Sequence, residues 1–103
     1  MQYKIVLAPQ AEEDLLNLKA HERAKAIEAI EKHLRYEPEK TSKSRIKRLQ
    51  KVDWPKYRLR IDNLRVFYDL VYEAESGVVE VLVVREKMEA MKWLAEFGRK
   101  THG

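Results

Sequence analysis

The chain has 103 residues, 45% hydrophobic and 37% charged, with a formal net charge of +4, a size that supports a single domain (1–103) with one modest core. The absence of cysteine excludes disulfides, thiolate nucleophiles and cysteine-based zinc sites, and it suits a reducing compartment. No apolar run approaches the ~20 residues that span a bilayer, and the opening Met1–Leu7 turns polar too quickly for a secretory signal, so a soluble cytoplasmic protein without membrane contact is expected.

Tyr3, Ile5 and Leu7 alternate with Lys4 and Val6, the pattern of a first strand. Pro9 suits the first turn of a helix, where its missing N–H costs nothing, and Glu12, Glu13 and Asp14 follow where the helix dipole favours acids. Leu15 and Leu18 give that short helix its apolar side. A second helix is predicted from about His21 to Tyr36, with Ala20, Ala24, Ile27, Ile30 and Leu34 near helical spacing and Pro38 as its stop. After a basic connector, Lys40–Asp53, the run Lys56–Ile61 alternates without a fault. Asp62-Asn63 has the composition of a two-residue hairpin turn, and Leu64–Tyr72 reads as the return strand. Glu73–Gly77 reads as another turn, Val78–Val84 as a strand covered on both faces, and Met88–Phe97 as a helix (Met91, Leu94, Ala95) stopped by Gly98. The order β-α-α-β-β-β-α predicts an α+β fold: a mostly antiparallel sheet with a helical hairpin on one face and a partly bare face opposite.

The charge is unevenly spread. From Lys40 to Arg60 nine basic residues stand against the single acid Asp53, a local balance of +8, which is the footprint of a polyanion binder. A two-residue turn at Asp62-Asn63 fixes the hairpin register: Ile61 faces Leu64, Arg60 faces Arg65, Leu59 faces Val66 and Arg58 faces Phe67. One face then carries Tyr57, Leu59, Ile61, Leu64, Val66 and Tyr68 as a bed for helices. The other gathers Lys56, Arg58, Arg60, Arg65 and Phe67. Like charges directly across a strand pair destabilise a sheet, so an anion is the natural partner, and phosphate matches the forked donors of guanidinium. Aromatic and basic residues on an open sheet also suit single-stranded RNA. His21 and His33 fall on the helices away from this face and His102 in the tail; none is assigned chemistry.

These features resemble the RelE/ParE toxin superfamily of type II toxin–antitoxin modules. The likeness runs through the opening strand and helical pair, Lys47-Arg48-Leu49, Trp54-Pro55-Lys56-Tyr57-Arg58-Leu59-Arg60-Ile61, Leu64-Arg65-Val66-Phe67-Tyr68-Asp69-Leu70, and the late valine strand ending in Arg85-Glu86-Lys87. The resemblance implies a metal-independent mRNA interferase without a cofactor, acting in the ribosomal A site. There the 2′-OH attacks the adjacent phosphate to leave a 2′,3′-cyclic phosphate and a 5′-hydroxyl.

By the same resemblance, Arg58 and Arg60 match two usually basic catalytic positions, and Arg65 matches the arginine that stabilises the phosphorane. Lys87, or as second choice Arg85, matches the basic residue after the last strand. Lys47, Arg48, Lys51, Lys56, Phe67, Arg85 and Trp93 are the expected RNA contacts. Two features depart from the family pattern. Arginine is a poor general base at neutral pH. Trp93 lies near a position held by a catalytic tyrosine in RelE, but an indole does not serve as the acid; it suits an anchor of the last helix. A weaker or differently apportioned ribonuclease is therefore expected. The implied partners are a cognate antitoxin, mRNA and the ribosome, with operator DNA reached only through the antitoxin complex. A ParE-like inhibitor of DNA gyrase and a non-catalytic RNA- or DNA-binding co-repressor are the alternative readings.

Overall fold

The computed structural model describes residues 2–100, so His102 lies outside the described residues. A strand β1 (Lys4–Leu7) leads to helices α1 (Pro9–Asn17) and α2 (Ala20–Leu34). Strands β2 (Ile46–Arg48), β3 (Tyr57–Ile61), β4 (Leu64–Glu73) and β5 (Ser76–Glu86) follow, and helix α3 (Lys87–Phe97) comes last. The strands form one five-stranded sheet in the order β1-β5-β4-β3-β2. β1 runs parallel to β5 and every other pair is antiparallel.

Pro9 opens α1 as its composition predicts. Only Leu18 and Lys19 separate α1 from α2. Arg23 closes the junction by donating to the carbonyls of Leu15, Leu16 and Leu18 at 2.9, 3.2 and 3.0 Å, which satisfies acceptors that a helix end leaves open. The buried stripe of α2 is Ala26, Ile30 and Leu34. Ala20, Ala24 and Ile27, expected on that stripe, are exposed, because the helix turns Ala26, Ile30 and Leu34 to the sheet instead.

The main core lies between the α1–α2 pair and one face of the sheet, where Ala11, Leu15, Ala26, Ile30 and Leu34 pack on Leu59, Ile61, Val66, Tyr68, Val79 and Val81. A second cluster occupies the other face: Ala90 and Trp93 of α3 cover Phe67, Leu82 and Val83. A bulge makes this possible. Phe67 pairs with Val83 and Tyr68 with Val81, so Leu82 is the extra residue, and both Leu82 and Val83 turn to α3. The helix buries Ala90 and Trp93, with Leu94 half-buried, in place of the expected Met91, Leu94 and Ala95; Met91 and Ala95 face outward. Trp93 is the anchor that its position suggests.

The Asp62-Asn63 hairpin has the predicted register at every pair, with Asp62 at φ 52°, a left-handed value that aspartate tolerates. The next turn is tighter than Glu73–Gly77. Glu73 pairs with Ser76, leaving Ala74-Glu75 as the loop with Ala74 at φ 50°. Gly77 is not a turn residue: a Cβ there would stand 2.4 Å from the ring of Tyr3, so glycine is needed for close packing of β1 on β5. The basic connector is also more than a loop. Its β2 strand buries Ile46 and is nucleated by the Ser42 hydroxyl, which accepts from the N–H groups of Arg45 and Ile46 at 3.0 and 3.4 Å.

Candidate nucleic-acid interface

Side chains alternate across a strand, so residues paired in register share a face. β3 and β4 place Arg58 opposite Phe67 and Arg60 opposite Arg65, β5 adds Arg85 opposite Arg65, and β2 adds Lys47 opposite Arg58. Arg60, Arg65 and Arg85 thus form one row across the sheet. Lys87 begins α3 just beyond, and its N–H donates to the carbonyl of Asn63 at 2.9 Å, which ties it to the hairpin tip.

Within this row the charges are differently compensated. Arg65 is 7% exposed, and its guanidinium donates through Nη1 to the carbonyls of Asp62 and Leu64, both at 2.9 Å. The hairpin backbone therefore orients Arg65 without neutralising it. Burial first, then the charge of Arg60, pushes the Arg65 pKa below its ordinary value. Burial, then the charges of Arg65 and Arg60, does the same to half-buried Arg58. Both stay cationic at neutral pH; the shifts record crowding among like charges. Among the described residues no carboxylate forms an ion pair with Arg58, Arg60, Arg65, Lys47 or Lys87.

Six residues expected beside them do different work. Lys56 is held by Asp69, whose carboxylate accepts both its backbone N–H at 3.1 Å and its ammonium at 3.5 Å. Arg85 is paired at 3.1 Å with Asp14, which also accepts the N–H of Val84 at 3.0 Å where β1 has ended, so α1 draws Arg85 toward the sheet edge. Arg48 lies on the opposite face, its guanidinium 5.5 Å from the centroid of the Tyr57 ring. Phe67 is only 1% exposed under α3 and offers no open ring to a base. Lys51 is exposed in the loop before β3. Trp93 is buried, donating from Nε1 to the Gln10 side-chain oxygen at 3.2 Å.

Neither histidine on the helices reaches this face. His21 is exposed, and His33 is half-buried on α2, its pKa lowered by burial and then by Arg45 and Lys32. Among the described residues no three His, Cys, Asp or Glu side chains form a group able to hold a metal ion, and no helix is long and apolar enough to cross a membrane. What remains is a set of cations on one face of the sheet, an arrangement that can bind and stabilise a phosphate but that, among the described residues of the row, includes no histidine or carboxylate for proton transfer at neutral pH.

Sequence reasoning passes over one aromatic residue packed against the cluster under α3. Trp54 pairs with Arg99 through an isolated bridge, and the Arg99 guanidinium lies 4.1 Å above the indole. Trp54 stands out in the sequence only as an aromatic beside Pro55, and its partner comes from beyond the last helix, so no spacing rule connects them.

The family model described as the ParE toxin of the type II toxin–antitoxin system, parDE, matches residues 5–91. No curated protein matches the sequence. Among solved structures, the chain is similar to one in the toxin–antitoxin complex RelBE2 from Mycobacterium tuberculosis, at 22% identity and a TM-score of 0.65 over 84% of this chain and 100% of that one. It is similar to one in the archaeal RelE–RelB complex from Pyrococcus horikoshii OT3, at 23% identity and a TM-score of 0.65 over 84% and 97%. A chain of the RelB–RelE antitoxin–toxin complex from Methanococcus jannaschii matches at 16% identity and a TM-score of 0.60, over 85% and 96%. At these identities the likeness shows the fold.

Proposed function

Because the chain belongs to the ParE toxin family of type II toxin–antitoxin systems, we propose that it is the toxin of such a pair and that its arginine face cuts RNA. The reaction is metal-independent cleavage of ribosome-bound mRNA. The observation that carries this reading is the crowding of Arg58, Arg60 and Arg65 without a carboxylate partner. Such an arrangement costs stability in the free protein and is relieved when a phosphate enters.

The ribose 2′-oxygen forms a bond to the adjacent phosphorus as its proton passes to water. The P–O5′ bond then breaks, and O5′ takes up a proton to leave as a hydroxyl, while a 2′,3′-cyclic phosphate stays on the other fragment. Negative charge accumulates on the phosphorane oxygens in between. Arg65, held by two carbonyls, is the preorganised donor for that charge; Arg58 and Arg60 flank it, and Lys87 approaches from the hairpin tip. One well-placed donor of this kind contributes about 3–4 kcal/mol to a transition state. Proton transfer is left to solvent or to groups that the ribosome supplies, which favours slow cleavage by the protein alone.

A cognate antitoxin that covers the face with acidic side chains is the partner this charge calls for. Cleavage is tested by incubating the purified protein with programmed ribosomes and mapping mRNA ends by primer extension. Cuts that vanish in Arg65→Ala support the reading; intact mRNA with the folded wild-type protein overturns it. Gyrase inhibition is the second reading, favoured by the want of a proton-transfer side chain in the row, and a supercoiling assay on the same protein reads it out.

A further inference from the structure

On the same sheet face as the arginines lies a groove of about 390 Å³, lined by Gln10, Trp54, Trp93, Phe97 and Arg99. Its walls are aromatic. The Trp54 and Trp93 rings are 5.9 Å apart and tilted by 46°, and Trp93 and Phe97 are 5.6 Å apart. Trp93 also meets Phe67 at 6.0 Å, and Phe67 stands opposite Arg58 in the sheet. The groove is therefore separated from the arginine row by one layer of rings. Phe97 is 47% exposed and Trp54 half-buried, so ring surface is open to a ligand.

The groove is held rigidly. Asp53 and Trp54 donate to the Arg99 carbonyl at 2.7 and 3.1 Å, and Arg99 donates back to Trp54 at 2.9 Å. Gly98 permits this strap, because a Cβ there would stand 2.6 Å from the Leu94 carbonyl and 2.9 Å from Val52. A flat guanidinium stacked on Trp54 occupies the place that a flat base would take. The Gln10 oxygen is occupied by the Trp93 N–H, so its amide NH₂ is the group left to address a ligand.

We propose that this groove is a nucleobase subsite. A base on the RNA strand whose phosphate meets Arg58 and Arg65 stacks on the open ring surface of Trp54 and Phe97, with buried Trp93 behind them. Arg99 leaves the indole and turns to a backbone phosphate. The Gln10 NH₂ donates to a ring oxo group, so uracil or guanine is preferred to adenine. This inference rests on the RNA reading above.

Trp54 and Trp93 are the two tryptophans of the chain, so indole emission reports on the groove. The purified protein is titrated at low salt with labelled uridine and adenosine RNA octamers, following both emission and oligomer anisotropy. Expected are quenching on binding, tighter binding of the uridine octamer, and loss of that preference in Gln10→Ala. Phe97→Ala, at an exposed position, weakens binding roughly 5- to 100-fold, the range for losing one stacked base, with an unchanged salt slope. Trp54→Leu does the same and abolishes most of the quenching. Arg65→Ala weakens binding and lowers the salt slope. Wild-type binding and quenching in folded Phe97→Ala, with Arg65→Ala still impaired, overturns the subsite and leaves the phosphate reading standing. If Arg65→Ala also binds as wild type, both readings fall.

Discussion

Arg60 and Arg65 face each other across β3 and β4, and folding gains nothing from the arrangement. Replacing Arg60 by threonine removes a like-charge pair worth about 0.2–1 kcal/mol and supplies a better strand former. The variant is expected to unfold at higher urea concentration than wild type at low salt, with the gap narrowing as salt screens the repulsion, while losing RNA cleavage. If Arg65 is the transition-state donor of the proposed reaction, Arg65→Ala gives a fall in cleavage of roughly 100- to 1,000-fold, on the order seen for one lost oxyanion donor, with near-UV circular dichroism unchanged. His33 behaves differently. Burial holds its folded pKa below 6.5, so the unfolded chain binds the proton more readily. Its contribution is present above pH 6.5 and is lost as pH falls through the lower folded value. Urea titrations of His33→Gln from pH 7 to 5 should show a flatter acid decline than wild type.

At the scale of elements, strict alternation was the legible signal. Lys56–Ile61 and the Asp62-Asn63 turn reveal a hairpin whose register the fold reproduces pair by pair. Short or capped elements are less legible. β2 is three residues long and two of them are charged, so its one buried side chain, Ile46, leaves no period to read. The buried helix faces are not legible because amphipathic period alone does not say where a neighbour docks; α3 turns on its Trp93 anchor rather than on Met91. Within the site, register shows which arginines share a face and sets Asp69 across from Lys56, whereas the distant acid Asp14 that claims Arg85 is invisible without tertiary contacts. Gly77 belongs to the same class, since its need comes from Tyr3 at the other end of the chain. Gly77→Ala should cost about 1–3 kcal/mol, as overpacking does, measured by chemical denaturation.

Across the whole molecule, the +8 segment is divided by the sheet. Lys47 shares a face with Arg58, while its neighbour Arg48 packs on Tyr57 on the other side. Lys47→Ala is therefore expected to lower the slope of log affinity for RNA against log salt by about 0.7, one single-strand phosphate contact. Arg48→Ala should leave that slope alone and reduce stability instead, through the lost cover over Tyr57.

The sheet order has a consequence for synthesis. β1 pairs only with β5, Lys4 opposite Val78 through Leu7 opposite Val81, and the arginine row is closed by β5 and the start of α3. As the nascent chain is made from its N-terminus, the first strand emerges without a partner and waits until nearly all the rest has been polymerised. Long-range closure of this kind is slow relative to local helix formation. The arginine row is thus assembled only after β5 has been made. Prematurely released fragments lacking β5 carry the arginines without the scaffold that aligns them, and they should be harmless when expressed.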